Sequence, residues 1–107
     1  MIGLGKWQGE VDTVVLSGSA IVTIYDKDGN YAFDVEIEGV KKLPKFSVYD
    51  IVEGEDSLFG KAKINVMGGI DAEISVKFIG EKKDRFEGHI KLPMLGIVPI
   101  KNGRRID

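Results

Sequence analysis

His89 is the single histidine of the chain, and it stands two residues from both Glu87 and Lys91. A histidine with a carboxylate in reach is a natural proton-transfer couple, because imidazole titrates near neutral pH and a carboxylate can orient its ring. Glu87 neighbours it along the chain, and Glu73 is a candidate to meet it across a sheet. The sequence supplies no nucleophile beside them, and alternation puts His89 on the polar side of its segment, where a solvated histidine belongs. Asp34, Glu36, Glu38, Asp71 and Glu73 also fall on polar sides, where solubility explains them without a glycosidase-like pair. Asp26-Lys27-Asp28-Gly29-Asn30 opens like a calcium-binding loop. The position that must be glycine is Tyr31, however, and the one that must be a bidentate glutamate is Ile37. No catalytic residue, metal ligand or cofactor is therefore assigned, and an enzyme is the weakest of the available readings.

Composition narrows the classes further. A chain of 107 residues has the length of one domain and can bury a real core. Its hydrophobic content of 43% and charged content of 30% suit a folded globule rather than a disordered segment. The net charge is −2, and Lys41-Lys42 and Lys82-Lys83 are too sparse, and too poor in neighbouring aromatics, to hold nucleic acid. Cysteine is absent, which removes disulfides and thiolate chemistry and suits a reducing compartment. The stretch Met1 to Trp7 has neither a signal-peptide core nor a myristoylation pattern, and no segment nears the ~20 apolar residues of a spanning helix. A cytoplasmic protein with no membrane partner is expected.

The elements that must position these residues are written in a two-residue rhythm. In Ile70-Asp71-Ala72-Glu73-Ile74-Ser75-Val76-Lys77-Phe78 every even position is apolar and every odd one polar. Side chains on a strand point to opposite faces in turn, so such a run is a strand with one dry face. The same reading predicts strands over Lys6–Asp12, from about Val14 or Gly18 to Tyr25, and over Tyr31–Glu38. It continues with Phe46–Val52, Leu58–Met67, Ile70–Phe78, Arg85–Leu92 and a short last strand near Ile97–Lys101. Asp28-Gly29 and Gly68-Gly69 have hairpin-turn chemistry. In the fourth strand Phe46, Val48 and Val52 are expected to face inward.

The result is an all-β, antiparallel meander of about eight strands in a single domain over residues 1–107. A small up-and-down barrel removes the exposed edges and is favoured over a two-sheet β-sandwich. Leu92 to Ile100 departs from alternation, being almost continuously apolar with Pro93 and Pro99. Prolines exclude it from a central strand, so an edge, a bulged strand or a flap is expected there, covered by Met1 to Leu4.

Gly5-Lys6-Trp7 at the head of the first strand, followed by a meander, resembles the Gly-x-Trp signature of the calycin superfamily, which includes the lipocalins and fatty-acid-binding proteins. The resemblance implies a barrel whose narrow end is closed by Trp7, with an arginine near the chain's end, Arg104 or Arg105, across its ring. It also implies binding of a small hydrophobic molecule inside. The chain has neither the C-terminal helix of lipocalins nor the helical lid of fatty-acid-binding proteins, and so matches a minimal form.

Small residues at inward positions, Gly18, Ala20, Gly60, Ala62, Ala72 and Gly88, leave open volume unless the large residues opposite fill it. The side chains expected to line a ligand cavity are Val22, Phe33, Val35, Ile64, Ile74, Val76, Phe78, Phe86 and Ile90, with Tyr25, Tyr31 and Tyr49 as polar handles inside it or at its rim. The alternative is an interaction module with a solid core. It would dimerise or recruit a partner through an exposed strand edge or the Pro93–Ile100 segment.

Overall fold

Alternation carries the chain through eight strands in the structure, a computed structural model that describes residues 1–12, 17–39, 45–65, 68–93 and 96–107. They are β1 (Gly5–Asp12), β2 (Ser17–Lys27), β3 (Asn30–Ile37), β4 (Phe46–Glu53), β5 (Ser57–Ile64), β6 (Ile70–Ile79), β7 (Arg85–Leu92) and β8 (Gly96–Arg105). All ladders are antiparallel, and the sheet runs in the order β3-β2-β1-β8-β7-β6-β5-β4. Each hairpin pairs its own neighbours, and the ladder between β1 and β8 joins the chain's two ends, curling the sheet into a nearly closed barrel. The described residues include no helix, and hence none long and apolar enough to cross a membrane.

The turn chemistry is as the sequence demands. Asp28 and Gly29 both take positive φ, 53° and 85°, and the Gly29 N–H bonds the Asp26 carboxylate at 2.9 Å. This is the twist that joins two right-handed strands, and it employs the aspartate of the calcium-like loop in the turn itself.

The core is concentrated at one end of the barrel. Trp7 (2% exposed) packs on Phe78 with ring centroids 5.0 Å apart and meets Phe86 edge-on at 5.7 Å. Ile24 and Leu58 complete this cluster, and Ile2 and Leu4 pack against it from the N-terminal segment. The Trp7 indole N–H donates to the Gly3 carbonyl at 2.8 Å, so the one polar atom of the ring is satisfied. Ile2 and Leu4 thus cover the Trp7 end, where their apolar side chains find the aromatic cluster, while Ile97 of the segment they were expected to cover stands exposed.

Two single residues shift the phase of the alternation. Asp50 in β4 and Asn102 in β8 have left-handed backbone, with φ of 51° and 54°, and each coincides with a break in ladder register. Such a β-bulge adds one residue to one strand and reverses which face every later side chain takes. After Asp50, Ile51 packs against the core cluster and Val52 turns out to water at 61% exposure, contrary to the inward orientation expected for it. After Asn102, β8 continues to Arg105 instead of stopping near Lys101, and Trp7 pairs with Arg105. The Arg105 guanidinium then lies 5.6 Å from the Trp7 ring centre, while Arg104 bonds Gln8 at 3.2 Å on the surface. Of the two candidate arginines, Arg105 is the one that caps the tryptophan.

Of the three forms its prolines suggested, β8 is the bulged strand and neither the edge nor the flap. It lies between β1 and β7, but its ladder with β1 ends at Lys101, so Pro99 is paired on the β7 side alone, opposite His89. The missing N–H costs no ladder bond there. Ile97 is exposed and Val98 buried, so the apolar run alternates after all. The expected continuations over Val14, Val66 and Met67, like the Pro44 connection and Met94-Leu95, lie outside the described residues.

Arg105→Ala should destabilise the barrel by about 0.5–1 kcal/mol, the value of an exposed cation–π contact, and shift Trp7 emission. Arg104→Ala should leave that emission unchanged. Denaturant titration followed by tryptophan fluorescence checks both.

Candidate functional site

Inward-facing side chains converge above the aromatic cluster but do not fill the space they enclose. An apolar cavity of about 200 Å³ remains. Its floor is Trp7, Phe78 and Phe86, and its walls rise through Val22, Phe33 and Val35 on one side and Ile74, Val76 and Ile90 on the other. The void follows from residue size. Ala20 and Gly60 stand at lining positions where larger side chains would close it, whereas Gly9 is a close approach, since a Cβ there would lie 2.5 Å from Ile100. Eight strands make an interior just wide enough either to be filled by side chains or to hold one small molecule, so a few small residues decide between the two.

Of the side chains expected to line a cavity, Val22, Phe33, Val35, Ile74, Val76, Phe78, Phe86 and Ile90 are brought together here. Ile64 is not. It sits half-buried at the far end of β5 between Phe46 and Ile70, beyond the enclosed space. Sequence reasoning missed Trp7, Val11, Ile24, Ile37, Phe46 and Val48, which also line it and are all legible by parity with the residues named. Ile51 lines it too and is legible only once the Asp50 bulge is known.

Among the described residues, no polar side chain lines the cavity. Among the tyrosines, Tyr49 is exposed and directs its hydroxyl to Asp71, and Tyr25 has the outward parity of β2. Water is a poor occupant of such a space, because an enclosed water needs two to four polar partners. His89 is exposed on the outer face with Ser75 and Pro99 as ladder partners, and Glu73 pairs with Lys91, one diagonal step away on the same face. Asp34, Glu36, Glu38, Asp71 and Glu73 are likewise exposed.

A polar constellation at the barrel's end joins β3 to β4. The Tyr31 hydroxyl donates to the Glu53 carboxylate and accepts the Ile2 N–H at 2.8 Å, while the N-terminal ammonium lies 3.7 Å from Glu53. The hydroxyl bond holds the Glu53 carboxyl below the ordinary glutamate range, with the ammonium adding to it against a smaller opposing effect of burial. Burial, followed by the bond to Glu53, raises the Tyr31 hydroxyl above its ordinary value.

Comparison with known proteins finds no matching family model, no matching curated protein and no matching solved structure.

The clasp has a pH signature on both flanks. A depressed carboxyl contributes stability that is present above the unfolded glutamate value, about 4.3, and is lost as pH falls through the folded one. A raised hydroxyl contributes stability present below the unfolded tyrosine value, about 10, and lost as pH rises through the folded one. Tyr31→Phe should therefore flatten both flanks of the stability–pH profile, measured as denaturation midpoints. An unaltered profile would show that the clasp contributes nothing.

Proposed function

We propose that the protein is a non-catalytic barrel that binds one small, wholly apolar molecule in its interior, in a cytoplasmic setting that suits the cysteine-free composition. The observation that carries this reading is the cavity of about 200 Å³ with no polar side chain in its lining among the described residues. A ligand with a polar group inside would lose that group's hydrogen bonds to water without replacement, a cost of several kcal/mol. The chemistry thus favours hydrocarbon or simple aromatic ligands. A molecule with the area of one aromatic side chain, roughly 150–250 Å², gains about 4–6 kcal/mol on burial before association costs. Before those costs this range corresponds to dissociation constants of roughly 1 mM to 40 μM, so binding in the millimolar range or weaker follows.

The test uses the barrel's own reporter. Trp7, the single tryptophan, forms part of the cavity floor, so titration with naphthalene or toluene should change its emission saturably at one equivalent. Ala20→Phe fills the space from the wall and should abolish that response without lowering the melting temperature. A linear, non-saturating response in the unaltered protein would sink the reading.

A further inference from the structure

The barrel closes everywhere except between β3 and β4, the two ends of the sheet, which no ladder joins among the described residues. Paired strands lie about 4.7–4.9 Å apart, whereas β3 and β4 come within 8 Å, Cα to Cα, only over a short stretch. Two strands separated by a third stand roughly 9–10 Å apart. Over that short stretch the two edges stand closer than this, and the Tyr31–Glu53 bond bridges them at one end, so an added strand has to part the edges there.

The ladders show which backbone groups face it. The Glu38 N–H bonds the Ser19 carbonyl at 2.9 Å, and the register continues with Glu36 opposite Ile21 and Asp34 opposite Thr23. Residues of an antiparallel strand turn their N–H and C=O alternately toward one neighbour and the other. Tyr31, Phe33, Val35 and Ile37 accordingly present theirs to the seam. On the opposite bank the Asn65 N–H bonds the Lys45 carbonyl at 2.7 Å, which directs Ser47 toward β5 and leaves Phe46 and Val48 facing β3. Both banks are rows of backbone donors and acceptors without a strand partner among the described residues.

Charge distinguishes among occupants. Asp34, Glu36 and Glu38 are exposed on the outer side of the β3 bank, their β2 neighbours Thr23, Ile21 and Ser19 are uncharged, and none of the three forms an ion pair among the described residues. Two β3 edges pairing antiparallel in a dimer would bring these carboxylates together, which is unfavourable.

We propose that the seam takes up an extended peptide segment in which lysine or arginine alternates with apolar residues, inserted as a further strand between β3 and β4. Its backbone pairs with the seam-facing groups of Val35 and its neighbours. Its apolar side chains turn inward, and its cations lie outside beside Asp34 and Glu36. The edges and their charge carry the occupancy, and the inward side chains share the lining of Phe33, Val35, Phe46 and Val48 with any small molecule in the cavity.

The experiment titrates the intact protein into a short fluorescein-labelled peptide of alternating lysine and valine, and into its counterpart with glutamate for lysine, reading anisotropy. The lysine peptide should bind saturably with one-to-one stoichiometry, at least about tenfold more tightly than the glutamate peptide. Val35→Pro removes a seam-facing N–H and spares the β2 ladder, so it should weaken binding by a similar factor. The double variant Asp34→Lys, Glu36→Lys changes only exposed side chains and should do the same while leaving the melting curve and the naphthalene response intact. Absence of saturable binding, equal affinity for both peptides, or binding indifferent to the double charge change would each overturn the proposal. So would a protein dimer in sedimentation equilibrium that Val35→Pro dissociates, which assigns the seam to a second copy.

Discussion

Trp7 is held on Phe78 and Phe86 and covered by the Arg105 guanidinium, and the other parts of the barrel take their positions from that arrangement. Its residues come from β1, β6, β7 and β8, so satisfying one indole ring fixes four strands at once. Gly3 accepts the ring's N–H, which draws the N-terminal segment over the same end. Gly103 belongs to the same packing problem, because a Cβ there would lie 2.5 Å from the Phe86 carbonyl oxygen. A large side chain needs small neighbours, and the chain provides them on adjacent strands.

The cavity is the complement of this tight end. Aromatic volume is spent on the floor, and the walls above it are branched aliphatics interspersed with Gly9, Ala20 and Gly60. Close packing is the ordinary condition of protein interiors, and a void of this size forgoes dispersion contacts along its whole lining. That the strands hold their register around it reflects the backbone ladders and the aromatic floor, neither of which depends on filling the space.

Much of this was legible in the sequence because period two is unambiguous. Ile70 to Phe78 fixes its strand and its inward set with no other information, whereas the ladder before it ends at Ile64 opposite Ile70 and not at a two-residue Gly68-Gly69 turn. Most wall residues follow from the same parity. Two of the failures share one cause. Asp and Asn tolerate left-handed backbone better than other side chains, but the sequence does not single out Asp50 and Asn102 from the chain's other Asp and Asn residues, so parity beyond them was misread at Val52 and open between Arg104 and Arg105. Pro99 misled for a related reason: proline reports that an N–H is not needed, and does not say whether the whole strand or only one side of one residue is unpaired. The seam was illegible too, since a meander's chain order does not reveal which neighbours in sequence fail to pair.

The order of pairing carries a consequence for the route to the native state. Every ladder but one links strands adjacent in the chain, so β1–β2–β3 and β4 through β8 are two local zigzags that can assemble independently. The ladder of Trp7 with Arg105 and Glu10 with Lys101 closes nearly the full length of the polypeptide. Its loop-closure entropy is the largest in the fold and is repaid only when the aromatic floor forms. Assembly should therefore culminate in one slow docking of two preformed halves.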